Sequence, residues 1–111
     1  MAYPVEWPGL SFKKYRHYVH EWPHTFKKGP GNYIYCSIVS NNTWNPIYIS
    51  ETSDLSGPYD KHLKMQCIKR IGVTHIHAHT NNNGWQGRLD EKEDLIRNYK
   101  PICNDRWDHD G

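Results

Sequence analysis

The chain's clearest alternation begins at "GNYIYCSIV", Gly31 to Val39, a β-rich run bounded by "GPG" before it and "SNNT" after it. A run of this kind between turn clusters reads as a strand. "NPIYIS" reads as a second strand, and the polar "SNNTWN" between them as the loop of a hairpin. The period then lengthens. Through "YDKHLKMQCIKRI", Leu63, Cys67 and Ile71 share one stripe, which predicts a helix. Ser53 or Asp54 could cap it, but Gly57 and Pro58 delay its start to about Pro58, and Gly72 ends it. "VTHIHAHT" returns to period two, with Ile76 and Ala78 against His75, His77 and His79, and is the third strand. "NNNGWQG" is a loop. "RLDEKEDLIRNY" is a closing helix with Leu89, Leu95, Ile96 and Tyr99 inward, stopped by Pro101. Residues 1–29, rich in Pro, Trp and His, show no clear period; they read as an arm packed on the domain, with a short helix over Phe12 to Val19. The expected organisation is that arm, a domain over 30–104 and an acidic tail over 105–111. The order β-β-α-β-α predicts a small α/β (α+β) domain with a three-stranded mixed sheet.

With 111 residues, 36% of them hydrophobic, the chain has room for one modest core. The net charge of +2 and a pI of 8.4 fall short of the basic balance of a duplex-binding domain. Distribution says more than the sum. "SFKKYRHYVHEWPHTFKK" carries Lys13, Lys14, Arg16, Lys27 and Lys28 against one acid, Glu21, which suits an anionic ligand as well as a solvated surface. Five Trp and eight Tyr serve a core and would also serve base stacking. Cys36, Cys67 and Cys103 are odd in number and form no CxxC, and no signal peptide or membrane run is visible, so reduced cysteines and a cytoplasmic location are expected.

In order and spacing the segments resemble the GIY-YIG nuclease domain, over roughly Pro30 to Asn104. Gly31, Asn32 and Tyr33 stand for the first half of the family name, and Tyr48, Ile49 and Ser50 for the second. "ETSDL" matches a T-x-x-L turn, His62 sits at the usual helical spacing, and "GVTHIHAH" is similar to the third strand of short bacterial and phage members. "EDLIRNYKPICN" resembles the closing helix and its P-x-x-N end, Pro101 and Asn104. The resemblance implies metal-assisted phosphodiester hydrolysis, with a helix glutamate on the metal, an arginine on the phosphate and a tyrosine at the water.

Two of those groups are missing. The arginine position is Pro58, which has no donor to offer a phosphate, and the metal glutamate position is Lys92, whose ammonium repels a cation. Glu91 and Glu93 flank Lys92, but one residue along a helix turns a side chain by about 100°. The implied function is therefore binding without catalysis. The chain is expected to be a pseudoenzyme that holds a small nucleotide, a cyclic nucleotide signal or another phosphodiester, as a phage factor sequestering a signal of host defence would in the host cytoplasm. Tyr33, Tyr48, His62, Lys92 and Asn104 are the expected ligand contacts, with no cofactor and no membrane partner. Two alternatives stand beside it: an active Mg²⁺-dependent endonuclease with Glu91 or Glu93 as a relocated ligand, and an inhibitor of a host enzyme working through its aromatic arm. Nucleic acid and a homo-oligomer stay open as partners.

Other patterns add less. His75, His77 and His79 at i, i+2, i+4 align on one strand face and could share a metal or a phosphate, or simply form a polar sheet face. His17, His20 and His24 in the arm enlarge that histidine-rich set. The amides and Trp85 of "NNNGWQG" suit a turn, and equally a base edge. No phosphate loop, nucleophile elbow or CxxC pair gives another enzyme class a footing.

Overall fold

The computed structural model describes residues 2–41, 43–57 and 62–107. Its elements are β1 (Pro4–Pro8), β2 (Lys14–Glu21), β3 (Gly31–Ser40), β4 (Thr43–Thr52), α1 (His62–Ile71), β5 (His75–Thr80), α2 (Gly84–Tyr99) and α3 (Ile102–Trp107). The α+β expectation holds, but the three-stranded mixed sheet does not. One five-stranded sheet runs in the order β1-β2-β5-β3-β4, and every neighbouring pair is antiparallel.

The two extra strands come from residues 4–8 and 14–21. β2 pairs with β5 through Tyr18↔Ala78, Val19↔His77 and His20↔Ile76, and β1 pairs with β2. A strand, not a helix, thus occupies the Phe12 to Val19 segment from Lys14 onward. The alternation is present in β2, but two of the three residues facing α2 are Tyr15 and His17, so a hydrophobic count does not register it. The β1–β2 turn is fastened to α2 by Asp94, which accepts hydrogen bonds from the Ser11 backbone N–H (2.9 Å), the Ser11 hydroxyl (2.6 Å) and the Tyr15 hydroxyl (2.7 Å). Burial alone would raise the Asp94 carboxyl, but these donors outweigh it and hold the group below its ordinary value.

Each face of the sheet is covered. On one, Tyr33, Tyr35, Tyr48, Ile76 and Ala78 pack against Cys67 and Ile68 of α1 and Cys103 of α3. On the other, Trp7, Ile34, Cys36 and Ile49 pack against Leu95 of α2, with Ile96 and Tyr99 at the border. The helix after β4 buries a different stripe from the predicted one. Lys64, Cys67 and Ile68 are inward, while Leu63 is 52% exposed and Ile71 36%. The lysine stem supplies apolar length and its ammonium reaches the Cys103 carbonyl at 3.4 Å, so one inward position is hidden behind a charged residue type. Gly72 ends α1 as expected, at φ 103°.

Cys67 and Cys103 form a disulfide that ties α1 to α3, with Cα atoms 5.8 Å apart, so the reduced state expected for these two cysteines is corrected. The partners lie 36 residues apart, and only the packing of two helices on one sheet face brings them together. Cys36 remains a free, buried thiol, and burial pushes its pKa up. No helix among the described residues is long and apolar enough to cross a membrane.

Candidate functional site

Strand alternation turns Tyr15, His17 and Val19 of β2, and His75, His77 and His79 of β5, toward the side that α2 covers. The first turns of α2 place Arg88 and Glu91 over them, both buried. Charged side chains in that position need partners, and all of them are found locally. The Glu91 carboxylate meets His79 Nε2 at 2.7 Å and accepts from Asn81 Nδ2 at 3.4 Å. The same Asn81 amide donates to Asn32 at 2.8 Å, Asn32 donates to the Arg88 carbonyl at 2.9 Å, and Arg88 Nε donates to Glu51 at 2.8 Å. The network therefore links β3, β4, β5 and α2.

His17 completes it. Its ring lies 4.6 Å from that of His79, nearly perpendicular, and its Nε2 is 3.4 Å from the Glu91 oxygen that His79 holds. The two atoms are close, but His17 Nε2 has no hydrogen-bond partner. Burial pushes the His17 pKa down to about 3, with His79 adding to the effect. For His79, burial also acts downward, but the hydrogen bond and charge of Glu91 outweigh it and raise the pKa.

The three β5 histidines share a face without sharing a site. His77 accepts the Trp7 indole N–H at Nδ1 (3.0 Å) and stands perpendicular to Trp44 at 4.4 Å, while His75 also meets the Trp44 ring edge-on, at 4.8 Å. His77 is driven down to about 3, first by burial and then by His75 and His20. Only His79 reaches the carboxylate.

The opposite side of the same two strands carries a second feature. Arg16, Tyr18 and His20 of β2 line a cavity of about 780 Å³ with His24, Phe26, Lys27 and Lys28 of the following segment. His20 and His24 stack at 4.1 Å, and Phe26 meets both rings edge-on at 5.0 and 4.6 Å. Among the described residues no carboxylate lines this cavity. Burial and the neighbouring His24 lower the His20 pKa.

The five expected contacts are not gathered in one pocket. Tyr33 and Tyr48 lie on the α1 and α3 face, their rings 6.4 Å apart, with Tyr33 1% exposed. Lys64 Nζ sits 5.6 Å from the Tyr48 ring. Lys92 belongs to α2, which packs on the opposite face. Asn104 is buried and brackets the outer edge of β4, accepting from Ile49 N–H at 2.7 Å and donating to Ile49 O at 2.8 Å. The expected contact through the His62 side chain, and the Pro58 position, lie outside the described residues. Glu91 points into the sheet and Glu93 is exposed, as the 100° step between neighbouring helix positions requires. Gly31, first residue of the "GNY" triplet, has a packing reason: a Cβ there would meet the His79 carbonyl of β5 and the Leu55 side chain.

The site residues that sequence reasoning missed are Arg88 and Glu51; His17, Asn32 and Asn81 stand out in the sequence only within a histidine set, a motif triplet and a loop, and not as members of one network. The one signal available was polar residues at strand and helix positions that periodicity turns inward. No family model, curated protein or solved structure matches the chain.

Proposed function

We propose that the chain is a binding protein for a small phosphate-bearing ligand with an aromatic ring, a nucleotide or cyclic nucleotide, held without being cut. The observation that carries this reading is the cavity beside β2: three cations, Arg16, Lys27 and Lys28, with imidazoles and the rings of Tyr18 and Phe26, and no carboxylate among the described residues. Cations and imidazole N–H groups suit phosphate oxygens, and flat rings suit a base. At about 780 Å³ it has the size of a small-molecule site rather than of a duplex track. Binding without cleavage follows from the sequence, in which the positions that match the family's arginine and metal glutamate hold Pro58 and Lys92. A phage factor that sequesters a nucleotide signal would need this chemistry and no more.

Calorimetric titration with AMP, a cyclic dinucleotide, adenosine and inorganic phosphate tests the reading. The two nucleotides should bind more tightly than either fragment. Lys27→Ala or Arg16→Ala should cost about 1.5–3 kcal/mol, roughly ten- to hundredfold in Kd. Lys92→Ala should leave the affinity unchanged. Loss of binding in Lys92→Ala with full binding in Lys27→Ala would move the site to the α2 face, and no binding of any nucleotide would refute the reading.

A further inference from the structure

We infer that His17, His79 and Glu91 form a site for one divalent transition-metal ion of the zinc class, with a coordination position open to the cleft beside β2. The ring orientations are the first support. His17 Nδ1 lies 3.1 Å from the Tyr15 carbonyl and His79 Nδ1 2.8 Å from the Thr80 carbonyl. A carbonyl only accepts, so each ring carries a proton on Nδ1 and turns Nε2 toward Glu91. A backbone acceptor behind the ring is the outer partner that orients ligating histidines.

Distance is the second. The three ligand atoms lie within 4.8 Å of one another. Around a tetrahedral ion with bonds of about 2.0–2.2 Å, neighbouring ligand atoms stand roughly 3.3–3.5 Å apart. His17 to Glu91 is already 3.4 Å, and His79 to Glu91, at 2.7 Å, has to open by only a fraction of an ångström.

The third is His17 itself, fully buried, with an Nε2 lone pair aimed at the centre and no hydrogen-bond partner. The His79–Glu91 contact fills its own valences with a proton and leaves His17 with none. A metal ion takes the place of that one proton on His79 Nε2, releases it to solvent, and uses the His17 lone pair as well. Two imidazoles and one carboxylate favour zinc, cobalt or iron(II) over magnesium or calcium, which prefer all-oxygen shells. Among the described residues no fourth histidine, cysteine or carboxylate joins the group. A cleft of about 520 Å³ reaches His79 and Glu91, with Lys13, Lys14, Asn81 and Asp90 in its wall, so water or a ligand oxygen completes the shell from that side. The site lies beneath α2 and meets the basic cavity at His79, Arg16 and Thr80, but it is argued from its own ligand geometry and does not depend on the nucleotide reading.

The test titrates the metal-stripped chain with Zn²⁺ and, for its visible spectrum, Co²⁺. One equivalent should bind, raise the melting temperature, and give a Co²⁺ spectrum of low coordination number, while Mg²⁺ does none of these. His17→Gln, His79→Gln and Glu91→Gln should each weaken binding by more than the roughly 100-fold typical of losing an outer-shell partner. His20→Ala with His24→Ala should leave it unchanged. His79 is the most exposed of the three ligands, so its variant serves if a buried-site variant fails to fold. Absence of stoichiometric Zn²⁺ and Co²⁺ binding by the unmodified chain would overturn the inference. So would binding that survives His79→Gln and disappears in the His20/His24 variant.

Discussion

Lowering the pH from 8 to 5 should remove about 4 kcal/mol of stability, most of it through two histidines. His17 and His77 are both driven down to about 3 from the ordinary 6.5, chiefly by burial. Between those values the unfolded chain binds more protons than the folded one, so stability rises with pH across the window. Their contribution is complete above about 6.5 and is lost as the pH falls toward 3. At pH 5 each costs RT ln(1 + 10^1.5), about 2 kcal/mol, and two cost about 4. That is a large share of the 5–15 kcal/mol typical of a small domain. Two other histidines titrate in the same window, with opposite signs. His79, raised by Glu91, contributes fully below 6.5 and loses its share as the pH climbs through its raised value, so on lowering the pH it offsets part of the loss. Asp94 acts below its ordinary 3.8. His20, lowered by burial and His24, works in the same direction as the two main groups.

Urea unfolding at pH 5 and 8, in the presence of a chelator, measures the difference. His77→Asn provides the second arm, because its amide oxygen still accepts the Trp7 indole N–H, which the His77 ring holds at 3.0 Å. The variant should lose some stability at pH 8, while its change from pH 8 to pH 5 falls to about 2 kcal/mol. A wild-type change below about 1 kcal/mol, or a variant that keeps the full change, would refute the claim that these rings are buried uncharged.

Asn104→Ala should destabilise the fold by about 2–4 kcal/mol, because it strands the N–H and C=O of Ile49 at the β4 edge; denaturant midpoints check this, and a loss below about 0.5 kcal/mol would deny the bracket. Reducing the Cys67–Cys103 disulfide, which spans 36 residues, should cost about 4 kcal/mol and lower the melting temperature, while Cys36 stays inert to thiol reagents in the folded chain. A melting temperature indifferent to reductant would show that α1 and α3 are held by packing alone.

Where each structural face took the residue types its environment favours, the sequence was legible. β3, β5 and the closing helix carry Ile34, Ile76, Leu95, Ile96 and Tyr99 at the periods that their burial demands, and the hairpin and Gly72 stop follow turn chemistry. Legibility failed where buried positions are polar. β2 hides its strand period behind Tyr15 and His17, α1 turns Lys64 inward, and α2 buries Arg88 and Glu91. Each is tolerable because a partner from a distant segment satisfies it: Cys103 O for Lys64, Glu51 for Arg88, His79 for Glu91. Partners 12 to 39 residues away leave no local periodic trace.

The same physics explains why the functional reading shifted from the motif residues to the residues before them. Tyr33 and Tyr48 carry the motif pattern, yet a ring 1% exposed has little surface left for a ligand. Asn104 is occupied in closing an edge that would otherwise offer unpaired backbone groups to another chain. The chemistry that is left over sits on β2, whose period of two sends His17 to one side and Arg16, Tyr18 and His20 to the other. Its partner β5 does the same with His77 and Ala78, while His79 borders both sites. One antiparallel pair thereby carries a carboxylate-bearing centre beneath α2 and a cationic, ring-lined cavity on its back. A near-neutral chain reaches this by separation: the acids Asp90, Glu91, Glu93 and Asp94 gather on α2, and among the described residues the charged side chains lining the cavity are cations. The local charge at that cavity therefore departs from what a net charge of +2 suggests.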